Sequence, residues 1–244
     1  MSQPLSQRLN YHPDPRDLSF AHRKVGMRLD LIRSKVDFKD KVVLDLGCSG
    51  GFFSFSLAKD AKKVIAIDGD PEIIKRNKAI QKDLGIENIE FIHGVISKEF
   101  IDSLENIDVT IFLSVYHHML SISDAYDWNQ GQNEGARNQF IEALNSKTNT
   151  LVFEIGFPNE GYEWCERIPK YEPNWNEWVK QNVFRGKYKS VDVSEVPMNL
   201  GWINKSIVSK LSTPYKQDSD FLRKIKNVFK FDARDLRRIY FGKK

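Results

Sequence analysis

Short apolar runs recur along most of the chain, and segments with helical spacing lie between them. Each run is apolar almost throughout, which is typical of parallel strands buried on both faces. The runs predict five β-strands, at residues 42–46, 64–67, 89–92, 109–115 and 150–155. Pro71 begins the clearest helix, residues 72–84, and Gly85 ends it. This repeated alternation predicts a mostly parallel sheet with helices on both faces.

The pattern changes after the fifth strand. Residues 157–184 are dense in aromatic side chains and interrupted by prolines, which predicts a loop-and-helix insertion. Residues 188–196 and 202–211 predict a hairpin that would add one antiparallel strand to the sheet. Residues 221–229 place apolar side chains on one helical face among basic ones, and residues 234–240 form a second short basic segment.

These patterns predict three parts: an N-terminal arm with a leading helix (1–40), an α/β domain with the aromatic insertion (41–212), and a basic helical tail (213–244). With 244 residues, 41% of them hydrophobic, the chain is long enough for one α/β domain with appendages. The net charge of +4 is mild and does not require a nucleic-acid partner.

The cysteines and the chain start indicate the compartment. Cys48 and Cys165 have no CxxC partner, so neither a metal site nor a disulfide framework is expected. The polar N-terminus is unlike a secretory signal, and no apolar run is long enough to span a membrane. We therefore expect a cytoplasmic protein in a reducing compartment.

A glycine turn, residues 47–51, follows the first predicted strand and precedes an apolar-rich helix. Glycines at this place let the backbone turn tightly and approach a ligand, and the helix N-terminus faces the same point. The turn lacks the central glycine of the dinucleotide pattern, where this chain has Cys48 and Ser49. Asp45 would disfavour a pyrophosphate but suits a cationic ligand, and Asp68 follows where an acid can bind ribose hydroxyls.

These motifs, residues 45–52 and 64–68, resemble those of the class I S-adenosylmethionine-dependent methyltransferases, over roughly residues 41–211. The resemblance implies a Rossmann-like three-layer αβα fold, with a mostly parallel seven-stranded sheet and a final antiparallel hairpin strand. It implies S-adenosyl-L-methionine as cofactor, with its methionine part at the turn, its ribose at Asp68 and its adenine near Gly94. The cofactor-binding residues implied in this way are Asp45, Gly47, Cys48, Ser49, Gly50, Phe52, Asp68, Gly69, Gly94, Val95 and Ser114.

The segment after the fourth strand, Ser-Val-Tyr-His-His at residues 114–118, resembles that of glycan-capping and wobble-uridine-modifying methyltransferases. The methyl group is already electrophilic, so the protein must align the acceptor and remove a proton if the acceptor is a hydroxyl. His117 and His118 are candidate bases because histidine titrates near neutral pH, and the alternative is that they cap the strand.

Candidate acceptor-binding residues are Tyr116, Glu154, Trp164 and Trp175. The aromatic side chains suit stacking on a sugar or a base, but the alternative is that they pack the insertion onto the sheet. Glu154 is either a polar contact for the acceptor or a solvated strand end. An arginine of the leading segment, which contains Arg16, Arg23 and Arg28, is a candidate partner for the methionine carboxylate.

The sequence thus favours methyl transfer to a hydroxyl of a sugar or small polar metabolite, with a small-molecule or glycan acceptor. Neither a Pro-Pro motif for exocyclic amines nor a Pro-Cys motif for pyrimidine C5 follows the fourth strand. An RNA-modifying enzyme of the tRNA type is the alternative, in which the basic tail would contact RNA phosphates. A separate hypothesis for the tail is peripheral contact with an anionic membrane surface. A non-catalytic binding scaffold is disfavoured because the turn glycines and Asp68 are intact.

Overall fold

The computed structural model describes residues 25–116, 134–155, 174–197 and 236–244. Within them the chain forms six α-helices and seven β-strands. In chain order these are α1 (Val25–Lys35), β1 (Val42–Leu46), α2 (Phe52–Leu57), β2 (Lys63–Asp68), α3 (Pro71–Asp83), β3 (Ile89–His93), α4 (Lys98–Ser103), β4 (Ile107–Leu113), α5 (Glu134–Lys147), β5 (Thr148–Glu154), α6 (Asn174–Val179) with a π-helical turn (Lys180–Phe184), β6 (Ser190–Pro197) and β7 (Leu236–Lys243).

The seven strands form one sheet in the order β3-β2-β1-β4-β5-β7-β6. Strands β1 to β5 pair in parallel, whereas β7 runs antiparallel to both of its neighbours. The carboxyl ends of β1 and β4 lie side by side at the centre, where the strand order reverses. Open α/β sheets bind ligands in the crevice at this point. The predicted Rossmann-like fold, mostly parallel with one reversed strand, is confirmed.

Short-range signals explain why the parallel part forms where the sequence predicted it. The carboxylate of Asp70 caps α3 by accepting hydrogen bonds from the N–H groups of Glu72 and Ile73, and Pro71 occupies the first turn. The hydroxyl of Ser97 caps α4 in the same way, through the N–H of Phe100. Leading helix α1 begins at Val25, within the predicted range.

The reversed strand corrects the predicted organisation of the C-terminus. Its predicted position, residues 202–211, lies outside the described residues, and the strand that pairs with β6 is β7. This strand falls in the segment predicted to be a helical tail, so the domain does not end at residue 212. Residues 239–241 are at most 1% exposed, and the charge of Arg238 is paired with Glu195 directly opposite on β6. Burial on both faces therefore holds this basic segment as a strand.

Two apolar cores cover the two faces of the sheet. One core contains side chains of helices α1, α2 and α3 and of one face of the sheet. The other holds α5, α6 and the π-helical turn, with Trp175, Val183 and Phe184 almost completely buried. The C-terminal end of the aromatic insertion is thus part of the main core. Among the described helices, none combines the length and the hydropathy needed to cross a bilayer.

Candidate functional site

The glycine turn is held against the end of β2 and the segment after β4. The N–H groups of Gly47 and Cys48 both donate to the carbonyl of Ile67, at 2.9 and 3.0 Å. Gly47, Ser49 and Gly51 have positive φ angles, which an L-residue adopts at a cost. A Cβ atom on Gly47 would also collide with Cγ2 of Val115. Gly47 is therefore required both by its backbone angle and by the close approach of the neighbouring loop.

Asp68 connects the glycine turn to the end of β2. One carboxylate oxygen accepts the N–H of Ser49 at 2.8 Å, and the other accepts the N–H of Asp70 at 3.0 Å. The side chain is half-buried. Each carboxylate oxygen can accept a second hydrogen bond, so Asp68 can still receive hydroxyl groups from a ligand. The residue predicted to bind a ribose is thus oriented by the same turn that was predicted to hold the rest of the cofactor.

Asn77 also supports the glycine turn, and the sequence analysis did not identify it. This side chain of α3 is fully buried, and its amide donates to the carbonyl of Ser49 at 2.8 Å. The bond stabilises Ser49 in its left-handed conformation. The available signal was a polar residue within the apolar stripe of α3, between Ile74 and Ile80.

Asp45 lies beneath the turn and is 4% exposed. Its carboxylate accepts the hydroxyl of Ser54 at 2.6 Å. Burial raises the pKa of Asp45 to about 6, with a smaller contribution from the charge of Asp68, while the hydrogen bond from Ser54 opposes the shift. Two carboxylates therefore lie close together in a poorly solvated place, which favours a cationic ligand.

The other residues of the turn have distinct surroundings. Cys48 is buried, and burial together with Asp45 raises the pKa of its thiol well above the usual value. Gly50 is buried, whereas Gly69 is exposed. Phe52 is half-buried and packs edge-to-face on Phe53, with ring centroids 5.4 Å apart.

The segment after β3 lies beside Asp68. The N–H of Gly94 donates to the carbonyl of Asp68 at 3.1 Å. Val95 follows with 56% of its surface exposed, although it is a large apolar residue. An exposed apolar side chain next to a ribose-type acid is a suitable contact for a planar ring, as predicted for the adenine.

A chain of polar contacts lies at the ends of β4 and β5. It connects the half-buried Ser114 to the buried side chains of Glu154 and Arg28. Ser114 has a φ angle of 57°, its N–H donates to the carbonyl of Glu154 at 2.9 Å, and its hydroxyl donates to Oε1 at 2.6 Å. Oε2 of Glu154 forms an ion pair with Nε of Arg28 at 2.8 Å, and the two side chains are 1% and 4% exposed. Glu154 is therefore not a solvated strand end, and no side-chain oxygen of it is directed into solvent.

Of the leading-segment arginines considered as partners of the methionine carboxylate, Arg28 is the one within the described residues, and it pairs with Glu154. Its guanidinium also lies over the ring of Phe53, 5.4 Å from the centroid. Burial lowers the pKa of Arg28, and the charge of Glu154 opposes this shift.

Two predicted acceptor-binding residues belong to the core. Tyr116 is 4% exposed and packs on Phe112, Phe153 and Trp178. Trp175 is 2% exposed and stacks on Trp178, with ring centroids 6.4 Å apart. Their burial favours a packing role for both side chains, and a contact of either one with the acceptor stays a prediction.

Three further predicted residues, His117, His118 and Trp164, lie outside the described residues, and their roles stay predictions. A groove of about 630 Å³ lies beside the start of β1 and is lined by charged residues such as Arg33 and Asp60. No predicted site residue lines this groove. It lies at the amino end of β1, whereas the glycine turn follows the carboxyl end of β1.

The sequence matches a family model described as a methyltransferase domain over residues 37–182, more than half of the chain. It is 32% identical over 152 residues to the O-antigen chain terminator bifunctional methyltransferase/kinase WbdD of Escherichia coli, which covers 59% of this chain and 20% of the relative. It is 30% identical over 96 residues to the 23S rRNA (uracil(1939)-C(5))-methyltransferase RlmD of Shewanella sediminis, covering 38% of this chain and 21% of the relative. The chain thus spans about a fifth of the length of these curated relatives.

Solved structures share the fold. A crystal structure of WbdD aligns with a TM-score of 0.62 and 22% identity, over 98% of this chain and 46% of that one. A methyltransferase from Aquifex aeolicus, named as dependent on S-adenosylmethionine, aligns with a TM-score of 0.52 and 14% identity over 98% of both chains. Together with the family match, the sheet order and the glycine turn, these likenesses lead to one conclusion: the chain belongs to the methyltransferase domain family.

Proposed function

We propose that this protein transfers the methyl group of S-adenosylmethionine to a hydroxyl of a sugar or small polar metabolite. The observation that carries the proposal is the hydrogen bond between Asp68 and the glycine turn at Ser49. It joins a carboxylate suited to ribose hydroxyls to the glycine turn, in which Gly47 and Ser49 are half-buried. The cofactor supplies an activated methyl group, so the protein's own task is to bind, align and deprotonate.

The chemistry of the residues fits each part of this cofactor. Asp45 and Asp68 provide negative charge for a ligand that bears a sulfonium and an ammonium group. Asp68 has acceptor capacity for ribose hydroxyls, and Val95 offers apolar surface for an aromatic base. Ser114 lies at the methionine side, beyond the turn. These residues come from the ends of four neighbouring strands, β1 to β4.

A hydroxyl acceptor is favoured by two observations. The segment that follows β4 carries His117 and His118, which are suited to remove a hydroxyl proton near neutral pH. A relative named as an O-antigen chain terminator favours an acceptor on a sugar chain. The sulfonium methyl then meets an oxygen nucleophile that the base has activated.

RNA is the second candidate acceptor because another relative is named as a 23S rRNA uracil-C5 methyltransferase. Methylation at C5 of a pyrimidine uses a thiolate that attacks the ring, and Cys48 does not suit this role. It is buried within the glycine turn, and its pKa is raised. The second cysteine, Cys165, lies outside the described residues, so this argument concerns Cys48 alone. For an RNA acceptor it favours modification at a hydroxyl, with the basic segment before β7 contacting phosphates.

The cofactor part of the proposal is tested by calorimetry with S-adenosylmethionine. We expect the wild-type protein to bind and Asp68→Ala to bind at least about ten-fold more weakly, because one carboxylate both orients the turn and accepts the ribose. Asp60→Ala is the matched control, since Asp60 is an exposed acid at the opposite edge. Absence of wild-type binding at millimolar cofactor would overturn the proposal.

The acceptor part is tested by transfer of labelled methyl groups to glycan, metabolite and RNA pools. Label in glycans or hydroxylated metabolites is the expected result, and label confined to RNA would favour the second candidate. Single-turnover rates of His117→Ala and His118→Ala then test the base. We expect one of them to fall by about a hundred-fold or more, and rates near wild type in both would exclude a histidine base.

A further inference from the structure

Leading helix α1 contacts the site through one buried charge. Leu31 and Ile32, in the second half of the helix, pack into the apolar core below the sheet. In the first half the buried side chain is that of Arg28. Its guanidinium pairs with Glu154 and lies over Phe53, the second residue of α2. One side chain thus links α1 to the end of β5 and to the helix that follows the glycine turn.

Glu154 transmits this contact to Ser114. Ser114 is not a glycine, yet it has a left-handed backbone conformation that costs about 1 kcal/mol or more. Both of its polar groups donate to Glu154, the N–H to the backbone carbonyl and the hydroxyl to Oε1. The other carboxylate oxygen is held by Arg28. Arg28 therefore fixes the carboxylate orientation in which Glu154 holds Ser114.

We propose that Arg28 and Glu154 are positioning residues, which fix Ser114 beside the methionine end of the cofactor site and make cofactor affinity depend on the docking of α1. This inference rests on the proposed function. A buried ion pair is seldom the most stable way to fill a site, because desolvation of both charges offsets their attraction. Its role here is to hold a strained residue in one orientation.

The test compares two buried ion pairs of the same kind. Arg238 and Glu195 pair at 3.1 Å between β7 and β6, with 4% and 8% of their side chains exposed, whereas the hydrogen bonds of Ser114 described above go to Glu154. Each pair is changed to Arg→Met, to Glu→Gln and to both together. Arg33→Met is a further control, because Arg33 joins α1 to Asp60 through an exposed ion pair. For every variant we would measure the S-adenosylmethionine Kd, the Tm, and hydrogen exchange of the peptide containing Ser114.

We expect Arg28→Met and Glu154→Gln each to weaken cofactor binding by about ten-fold and to accelerate exchange at Ser114 without cofactor. The double change Arg28→Met with Glu154→Gln removes both charges of the pair, so its Tm should recover relative to the single changes while its Kd stays weak. The variants of Arg238 and Glu195 should lower the Tm but leave the Kd within about two-fold of wild type.

Three results would overturn the inference: unchanged Kd and unchanged Ser114 exchange in the Arg28 and Glu154 variants, recovery of both Tm and Kd in the double variant, or equal loss of affinity in the control pair. Failure of the proposed function has a different signature, since the wild-type protein itself would not bind the cofactor. The exchange measurement needs no cofactor and still decides whether the pair holds Ser114.

Discussion

Asp45→Asn should stabilise the folded protein at neutral pH while weakening its function. Burial raises the pKa of Asp45 from 3.8 to about 6. At about 1.4 kcal/mol per pKa unit, this shift corresponds to about 3 kcal/mol that the ionised carboxylate costs the folded state. Asparagine has nearly the same shape, carries no charge and can still accept the hydroxyl of Ser54.

The stability difference between Asp45→Asn and the wild-type protein should depend on pH. Between the unfolded and folded pKa values the native state binds the extra proton, so the contribution of Asp45 to stability falls as pH rises from about 4 to about 6. The advantage of Asp45→Asn should be absent near pH 4, grow through this window and reach its full size above about pH 7. Acidic conditions thus hide the effect and neutral conditions show it.

Urea denaturation of both proteins at several pH values between about 4 and 8 measures the difference directly. The control is Ser54→Ala, which removes the hydrogen bond that opposes the shift and should enlarge the cost of the charge at neutral pH. A stability difference between wild type and Asp45→Asn that is independent of pH, or that grows toward acidic pH, would refute the reasoning. Calorimetry with S-adenosylmethionine should show weaker binding by the same variant, because the negative charge below the turn is lost.

Three shorter predictions concern the turn and the C-terminal strand. Gly47→Ala should lower the free energy of unfolding by about 2–4 kcal/mol, because its φ is positive and the added Cβ would clash with Val115. Gly94→Ala is the control: its added Cβ would make only ordinary contacts, so the same urea titration should show a change of less than about 1 kcal/mol. Cys48 should resist alkylation by iodoacetamide in the native protein at pH 8 and react fully in denaturant, as peptide mass spectrometry would show, because its thiol is buried and its pKa is raised. A chain that ends at residue 212 should be insoluble or unfolded by circular dichroism, because it lacks β7, and a folded truncated chain would contradict the strand order.

The parallel half of the fold could be predicted from the sequence because its signals are local. Each strand is one apolar run, and helices α3 and α4 carry their own caps, Asp70 and Ser97. Strands joined by short helical crossovers pair with near neighbours, so the order follows from few choices. The carboxyl ends of the strands then place Asp45 and Asp68 at one edge of the sheet, as the motif spacing indicated.

Strand β7 could not be predicted in the same way. Its partner β6 ends 39 residues before it begins, and the basic residues at its start are typical of a solvated tail. The charge of Arg238 is paired with Glu195, which the folded register places opposite. The one local signal was the apolar run of residues 239–241, and it is too short to separate a buried strand from one turn of a helix.

The same limit applies to the pairing of Arg28 with Glu154. Both residues were identified as candidates, but each was assigned a ligand, because the sequence does not show that a residue of the first helix meets the end of the fifth strand. Burial decides between the two interpretations. A side chain that is 1% or 4% exposed and already holds an opposite charge has little capacity left for a ligand. Its effect on a ligand must pass through the residues that it holds.

Three carboxylates at this edge of the sheet therefore have three different functions, and their surroundings distinguish them. Glu154 is neutralised by Arg28 and holds Ser114, so it contributes little net charge to the site. Within the described residues Asp68 accepts two backbone N–H groups and is half-buried, so it keeps the capacity to accept hydroxyls. Asp45 is buried with a hydroxyl as its near partner, and its raised pKa reports a charge without full compensation. A cation at the turn would supply that compensation, so cofactor binding should lower the pKa of Asp45 toward its ordinary value. Between about pH 4 and pH 6 the complex should therefore bind fewer protons than the free protein, and cofactor binding should release protons.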